Sequence, residues 1–418
     1  MIKRMFIGMF CLLMLVASVS AEKMLIYMDL AQIDHLKAYG IAYYALQEGT
    51  NVEWLLNYRG GAFMMDASPE LERTAKLRGV AYSLLGGSQV ALVYAEIEQN
   101  NMEVVLLEKA PSLAVYVPPG ESHWDDAVCL ALDYAEIPYT KVWDEEVLAG
   151  ALEQYDWLHL HHEDFTGQYG KFYAMYRNTD WYQNDVRTNE KMAKKLGLKK
   201  VSQLKLSIAK KIKEYVANGG FLFAMCSAPI TLDIAFAGEG VDFVPAEFDG
   251  DPIDPEFQQK VDFQKTFAFE NFNLIIDPFS YEHSDIDTSP ESHQRGPNTY
   301  FTLFDFSAKF DPVPTMLTQN HVALINCFMG QDTGFRREKI KKNIVIMAEV
   351  EGTDEVKYLH GNFGRGTFTF YGGHDPEDFE HRVDDPWTKL ELHKNSPGYR
   401  LILNNILFPA AKKKELKT

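Results

Sequence analysis

The chain has 418 residues, 46 % apolar and 13 % aromatic, enough to bury a large core in two or three domains or in one large α/β domain with insertions. Its formal charge of −18 argues against nucleic acid and against anionic lipid as partners. Three cysteines lie beyond the N-terminal segment, Cys129, Cys226 and Cys327. An odd number with no Cys-x-x-Cys pair argues against a disulfide framework and a zinc ribbon.

Residues 1–21 read as a secretory signal. Lys3 and Arg4 precede an apolar stretch over 5–16 that is too short to span a bilayer, and Val19-Ser20-Ala21 is a small-residue cleavage site. The expected mature chain starts at Glu22 and is exported, to the periplasm where the source has an outer membrane and otherwise to the medium. No later segment is long and apolar enough to cross a membrane.

The pattern predicts strands over 23–28, 52–56 and 104–107, and helices over 32–47, 69–77 and 89–98, with a turn at Arg59-Gly60-Gly61. Residues 22–110 thus form an N-terminal α/β segment whose strand–helix alternation predicts a parallel sheet. A second series, 111–410, opens with a strand over 113–117 and continues with a helix over 124–135 and strands over 139–143 and 155–161. Insertions are expected near 165–200, which is aromatic and charged, and near 245–320, which is rich in Asp, Pro and Phe. Between them a helix over 202–216 ends at Asn218-Gly219-Gly220 and leads into a doubly buried strand over 221–225. Strands over 356–360 and 367–371 flank Gly364-Arg365-Gly366 as a hairpin. A helix over 397–407 precedes the basic tail at 411–418.

Two strand ends carry the chemistry. The strand over 221–225 runs into Cys226, with Ala224 and Ala228 two positions to either side and Pro229 at a helix start. Small residues there suit a nucleophile elbow, and a helix N-terminus favours a thiolate. The other strand runs through Gly372-Gly373 into His374-Asp375-Pro376-Glu377. His374 is then a candidate base, with Glu377 or Asp375 to orient it. A third group is His159-Leu160-His161-His162-Glu163-Asp164, in which strand alternation puts His159 and His161 on one face. Arg59 is a candidate clamp for a carboxylate or phosphate, or a surface salt bridge.

On the Cys226 and His374-Asp375-Pro376-Glu377 runs, residues 111–410 resemble class I glutamine amidotransferases and their trehalose-utilisation-type relatives. That resemblance implies an α/β fold with a mainly parallel, flavodoxin-like sheet. The chain departs from it with Ala224 and Ala228 in place of elbow glycines and with Asp375 between the histidine and Pro376-Glu377. From Leu36-Lys37-Ala38-Tyr39-Gly40 through 157–167 to 372–378, nearly the whole mature chain is similar to a secreted bacterial family labelled asparagine synthetase B. The label implies glutamine-dependent amide transfer with ATP, yet the N-terminal cysteine and the Ser-Gly-Gly-x-Asp-Ser loop of such synthetases are absent from the sequence.

The leading expectation is an exported amidotransferase-like amide hydrolase or transferase. Cys226 is the nucleophile, His374 the base, and Glu377 or Asp375 the orienter. His161, His162, Glu163 and Arg59 bind a small-molecule or carbohydrate substrate, and no metal or cofactor is called for. One alternative is a metal-dependent hydrolase using His159, His161 and His374. The other is a non-catalytic carbohydrate-binding module on a degenerate amidotransferase scaffold.

Overall fold

The computed structural model describes residues 22–118, 126–311, 313–317, 322–382 and 385–411. The expected signal at 1–21 and the lysines of the basic tail lie outside them, as does the start of the helix expected over 124–135. Among the described residues no helix is long and apolar enough to cross a membrane.

The first sheet contains β1 (Lys23–Ile26), β2 (Val52–Leu56), β3 (Ala62–Asp66), β4 (Tyr82–Leu85) and β5 (Glu103–Leu107), in the order β4-β1-β3-β2-β5. Every pairing in it is antiparallel. The second sheet is built from β6 (Leu113–Tyr116), β7 (Thr140–Val142), β8 (Trp157–Leu160), β9 (Phe221–Met225), β10 (Tyr300–Leu303), β11 (Leu324–Asn326), β12 (Phe335–Arg336), β13 (Val345–Glu349), β14 (Glu355–Phe363) and β15 (Gly366–Tyr371). Its order is β11-β10-β13-β14-β15-β9-β8-β6-β7, with β12 paired to β14. Among the described residues, parallel pairing links β15, β9, β8, β6 and β7, and from β15 outward to β11 every pairing is antiparallel.

The expected mainly parallel, flavodoxin-like sheet of amidotransferase type is therefore corrected. The protein is mixed α/β with two sheets, one wholly antiparallel and the other antiparallel over half its strands. The error began at Arg59-Gly60-Gly61, where the turn closes a β2–β3 hairpin. Ala62-Phe63-Met64-Met65-Asp66 contains no β-branched residue, so its strand signal is weak.

Alternation along the strands fixes the layers. Phe221, Phe223 and Met225 of β9 join a core that lies between the two sheets and includes helices His35–Gln47, Ala127–Ala135 and Pro397–Leu407. Leu222 and Ala224 face the other way, into a core covered by helices Val201–Ala217 and Ala228–Ala237. Leu25, Leu55 and Met64 line the outer face of the first sheet beneath helix Gly87–Gln99.

Two histidines are buried away from the site described below. Burial holds His35 down at about 4, with Arg400 adding to the effect, and holds His360 down at about 3. Both lie below the 6.5 of an unfolded histidine, so the unfolded chain takes the proton first. Stability is thus fully present above about pH 6.5 and falls as pH drops toward the folded values. Between pH 7.5 and 4.5, His360 alone is expected to cost about 2–3 kcal/mol. Urea unfolding at the two pH values measures it. His360→Phe should lose less stability than the parent by that amount, and equal losses would contradict the assignment.

Candidate functional site

Strand register builds the site. Leu160 of β8 lies beside Ala224 of β9, and Met225 of β9 beside Tyr371 of β15, so the three parallel strands end at one level. The residues that follow, His161, Cys226 and Gly372-Gly373-His374, therefore emerge along one edge. Backbone hydrogen bonds tie these ends together. Cys226 N–H donates to Gly373 O at 3.1 Å, Ala228 N–H to His161 O at 3.1 Å, and His374 N–H to Met329 O at 2.9 Å.

Gly373 has φ +96, and a Cβ there would sit 2.5 Å from the Phe328 ring. Gly373→Ala is accordingly expected to lower stability by roughly 2 kcal/mol or more through left-handed strain plus overpacking. Thermal unfolding checks this, and an unchanged midpoint would contradict it.

These strand ends floor a cavity of about 670 Å3. His162, Glu163, Cys226 and His374 lie on its wall, and the aromatic insertion contributes Tyr169, Phe172, Tyr176 and Trp181. Trp181 stands edge-on to Phe172 at 5.6 Å and packs against Tyr176 at 5.1 Å. Arg59 is not among the lining residues. It pairs with Asp29 at 2.7 Å and lies over the Tyr27 ring in the first sheet's hairpin region.

Cys226 occupies the left-handed region at φ 50, a strained conformation for a residue with a Cβ. Its thiol is 3 % exposed and accepts Gln331 N–H at 3.4 Å. Burial pushes the thiol up to about 12, against the Gln331 hydrogen bond and helped by the Asp332 carboxyl. Glu377 and Asp375 do not stand behind His374 as orienters. Glu377 pairs with His393 at 2.8 Å, and Asp375 accepts Glu377 N–H at 2.9 Å. Among the described residues, His374 Nδ1 has no hydrogen-bond partner. The cavity thus brings Cys226 and His374 together, but not the carboxylates assigned with them.

What surrounds His374 is a set of other imidazoles. Its ring centroid is 4.5 Å from that of His161, 6.2 Å from His162 and 4.6 Å from His381. One ligand nitrogen from each of His161, His162 and His374 lies within 4.8 Å of the other two. Burial drives His161 down to about 3 against the pull of Asp126, with His162, His159 and His381 adding repulsion. Burial and the same kind of crowding hold His374 well below its ordinary value. Both rings are therefore uncharged at neutral pH.

His159, expected as a metal ligand, is committed elsewhere. Its Nδ1 is 3.2 Å from Phe223 O and its Nε2 is 3.1 Å from Asp126 Oδ2. Asp126 was missed in the sequence, where its one signal was an acidic residue in capping position before Ala127-Val128. It caps the helix through Val128 N–H at 2.8 Å and Cys129 N–H at 3.1 Å, and it lies 3.5 Å from His161 Nδ1. Burial alone would raise its pKa, but His159, His161 and the helix N–H donors outweigh that and hold it well below the usual carboxylate range. His162 was expected beside His161 in the pocket, and it does line the cavity. β8 ends at Leu160, so strand alternation does not reach His162.

No family model matches the chain, and no curated protein matches it. Among solved structures, the chain is similar to a cytoplasmic protein of Salmonella typhimurium at 12 % identity and TM-score 0.35, over 72 % of this chain and 100 % of that one. It also aligns with an exo-β-1,4-mannosidase from an Opitutaceae bacterium at 12 % identity and TM-score 0.28, over 68 % of this chain and 33 % of that one. A β-galactosidase from Bacillus circulans aligns at 11 % identity and TM-score 0.25, over 63 % of this chain and 29 % of that one. Likeness at this level assigns neither fold family nor activity.

Proposed function

We propose that this chain is a hydrolase of small, neutral amides or esters, in which water activated at the His161, His162 and His374 cluster makes the attack. One observation carries the reading: the His161, His162 and His374 rings converge beside a cavity that His162 and His374 line, and among the described residues His374 keeps a buried nitrogen without a partner. An uncharged imidazole accepts or directs a proton, whereas a thiol held at about 12 keeps its own. The cations lining the cavity are already compensated, Lys205 by Asp144 at 3.3 Å and Arg382 by Glu380 at 3.0 Å. That favours a neutral substrate over a phosphate or carboxylate. Export, expected from residues 1–21, would place the activity outside the cytoplasm.

A second reading, the amidotransferase-like thiol hydrolase, is favoured by the strained elbow at Cys226. It requires substrate binding to bring His374 to the sulfur, a tightening that catalytic hydrogen bonds often undergo. Comparing Cys226→Ala with His374→Ala on neutral chromogenic esters and anilides separates the two. Turnover retained by the first and lost by the second is expected, and the opposite ranking would overturn the reading.

A further inference from the structure

We infer that His161, His162 and His374 are the ligands of a single transition-metal ion of the zinc type, with its open coordination position facing the cavity. The inference deepens the hydrolase reading and rests on it only for the ion's catalytic role.

Three groups of metal-ligating side chains occur among the described residues, and two of them are already satisfied. Asp242, Asp249 and Asp251 enclose the Lys200 ammonium at 2.6, 3.0 and 2.6 Å. In the group of Asp126, His159 and His161, both ring nitrogens of His159 are spent on Phe223 O and Asp126. The third group, His161, His162 and His374, differs in three ways.

First, His161 is 1 % exposed; among the described residues its Nε2 has no partner, and its Nδ1 faces only the Asp126 carboxylate at 3.5 Å. His374 is 8 % exposed and leaves Nδ1 without a partner among them. Orphaned buried nitrogens cost free energy unless something binds them, and an uncharged imidazole offers a lone pair.

Second, the donor set fits. A tetrahedral ion about 2.1 Å from each nitrogen places them about 3.4 Å apart. The three nitrogens already lie within 4.8 Å of one another, so side-chain rotation closes the site. Imidazole donors with no carboxylate in the set select zinc, cobalt, nickel or copper over calcium or magnesium.

Third, a carboxylate stands behind one ligand. Asp126, fixed by the N–H groups at the start of helix Ala127–Ala135, lies 3.5 Å from His161 Nδ1. Such a carboxylate keeps the proton on that nitrogen and aims the other, here Nε2, at the ion.

Three protein ligands leave a fourth position for water. His162 and His374 line the cavity, so that position opens to substrate. The metal-bound hydroxide would add to the substrate carbonyl, and the carbon–nitrogen or carbon–oxygen bond would break. The leaving group would take up the proton released from water, so one water is consumed with no redox change.

The test uses the full chain, stripped with chelator and titrated with Zn2+ by calorimetry and with Co2+ by visible absorption. The expected results are one ion per chain and an intense tetrahedral Co2+ spectrum. Zn2+ affinity should fall about 100-fold or more in His374→Ala and in His162→Ala. His293→Ala, which alters an exposed histidine outside the cluster, should bind as the parent does. Circular dichroism checks that each variant is folded, and His162, being only half-buried, is the variant least exposed to a folding defect. Unchanged affinity in a folded His162→Ala chain, or a stoichiometry near zero, would overturn the metal site. Tight histidine-dependent binding without any turnover would uphold the metal site and count against the hydrolase. Full turnover by the stripped chain would uphold the hydrolase and remove the ion from its mechanism.

Discussion

Replacing His374 with alanine is expected to lower turnover of neutral esters or anilides by about 10^3-fold, within the range for losing a group that activates water. Cys226→Ala should stay within about threefold of the parent, because removing a group that does not enter the transition state leaves its energy unchanged. The asymmetry follows from where the two side chains sit. His374 is crowded by His161 and His381 and kept neutral by burial, with an orphaned nitrogen. Cys226 is strained, but its sulfur has a backbone N–H from Gln331, and burial holds its proton. Initial rates with both variants at pH 7.5 read the difference directly. Equal losses in the two would mean that thiol and imidazole act as one unit, as in an acyl-enzyme mechanism.

The second large effect is at Asp126. Asp126→Ala is expected to cost roughly 3 kcal/mol of stability, from the loss of a helix cap and from a buried His159 left without its acceptor. The carboxylate receives Val128 N–H, Cys129 N–H and His159 Nε2, so no single partner accounts for the loss. Asp126→Asn retains an oxygen for the helix N–H groups and should lose roughly half as much. Urea titration measures both. An alanine variant within about 0.5 kcal/mol of the parent would contradict the cap and the His159 contact as sources of stability. The two variants should also weaken Zn2+ binding, since His161 loses the carboxylate behind it.

Much of this site was legible in the sequence because strand ends have local signatures. Ala224, Ala228 and Pro229 around Cys226 announce a tight strand-to-helix turn, and the cysteine is indeed left-handed at φ 50. Gly372-Gly373 before His374 marks the end of its strand, and β15 does stop at Tyr371. Partnerships between distant segments were not legible. Arg59 fits either a substrate clamp or a surface salt bridge by sequence; the salt bridge is the one present, and nothing local reveals that Asp29 is its partner. Glu377 sits at the right spacing to orient His374, yet His393, from another segment, is its partner. His381 carries no motif, and its ring stacks on His374 only because 374–381 folds back on itself, as the Asp375–Asp378 bridge shows. Strand direction was the largest miss, since alternating strands and helices fit a parallel sheet unless the hairpin at β3 is seen.

In the proposed reaction water, and not the Cys226 thiol, attacks the substrate. Intact-mass analysis of the chain, quenched in acid during steady turnover of a neutral ester, tests it most directly. The unmodified mass is expected at every time point. A population heavier by the acyl group, with the increment mapped to Cys226, would contradict it and establish the thiol as the nucleophile.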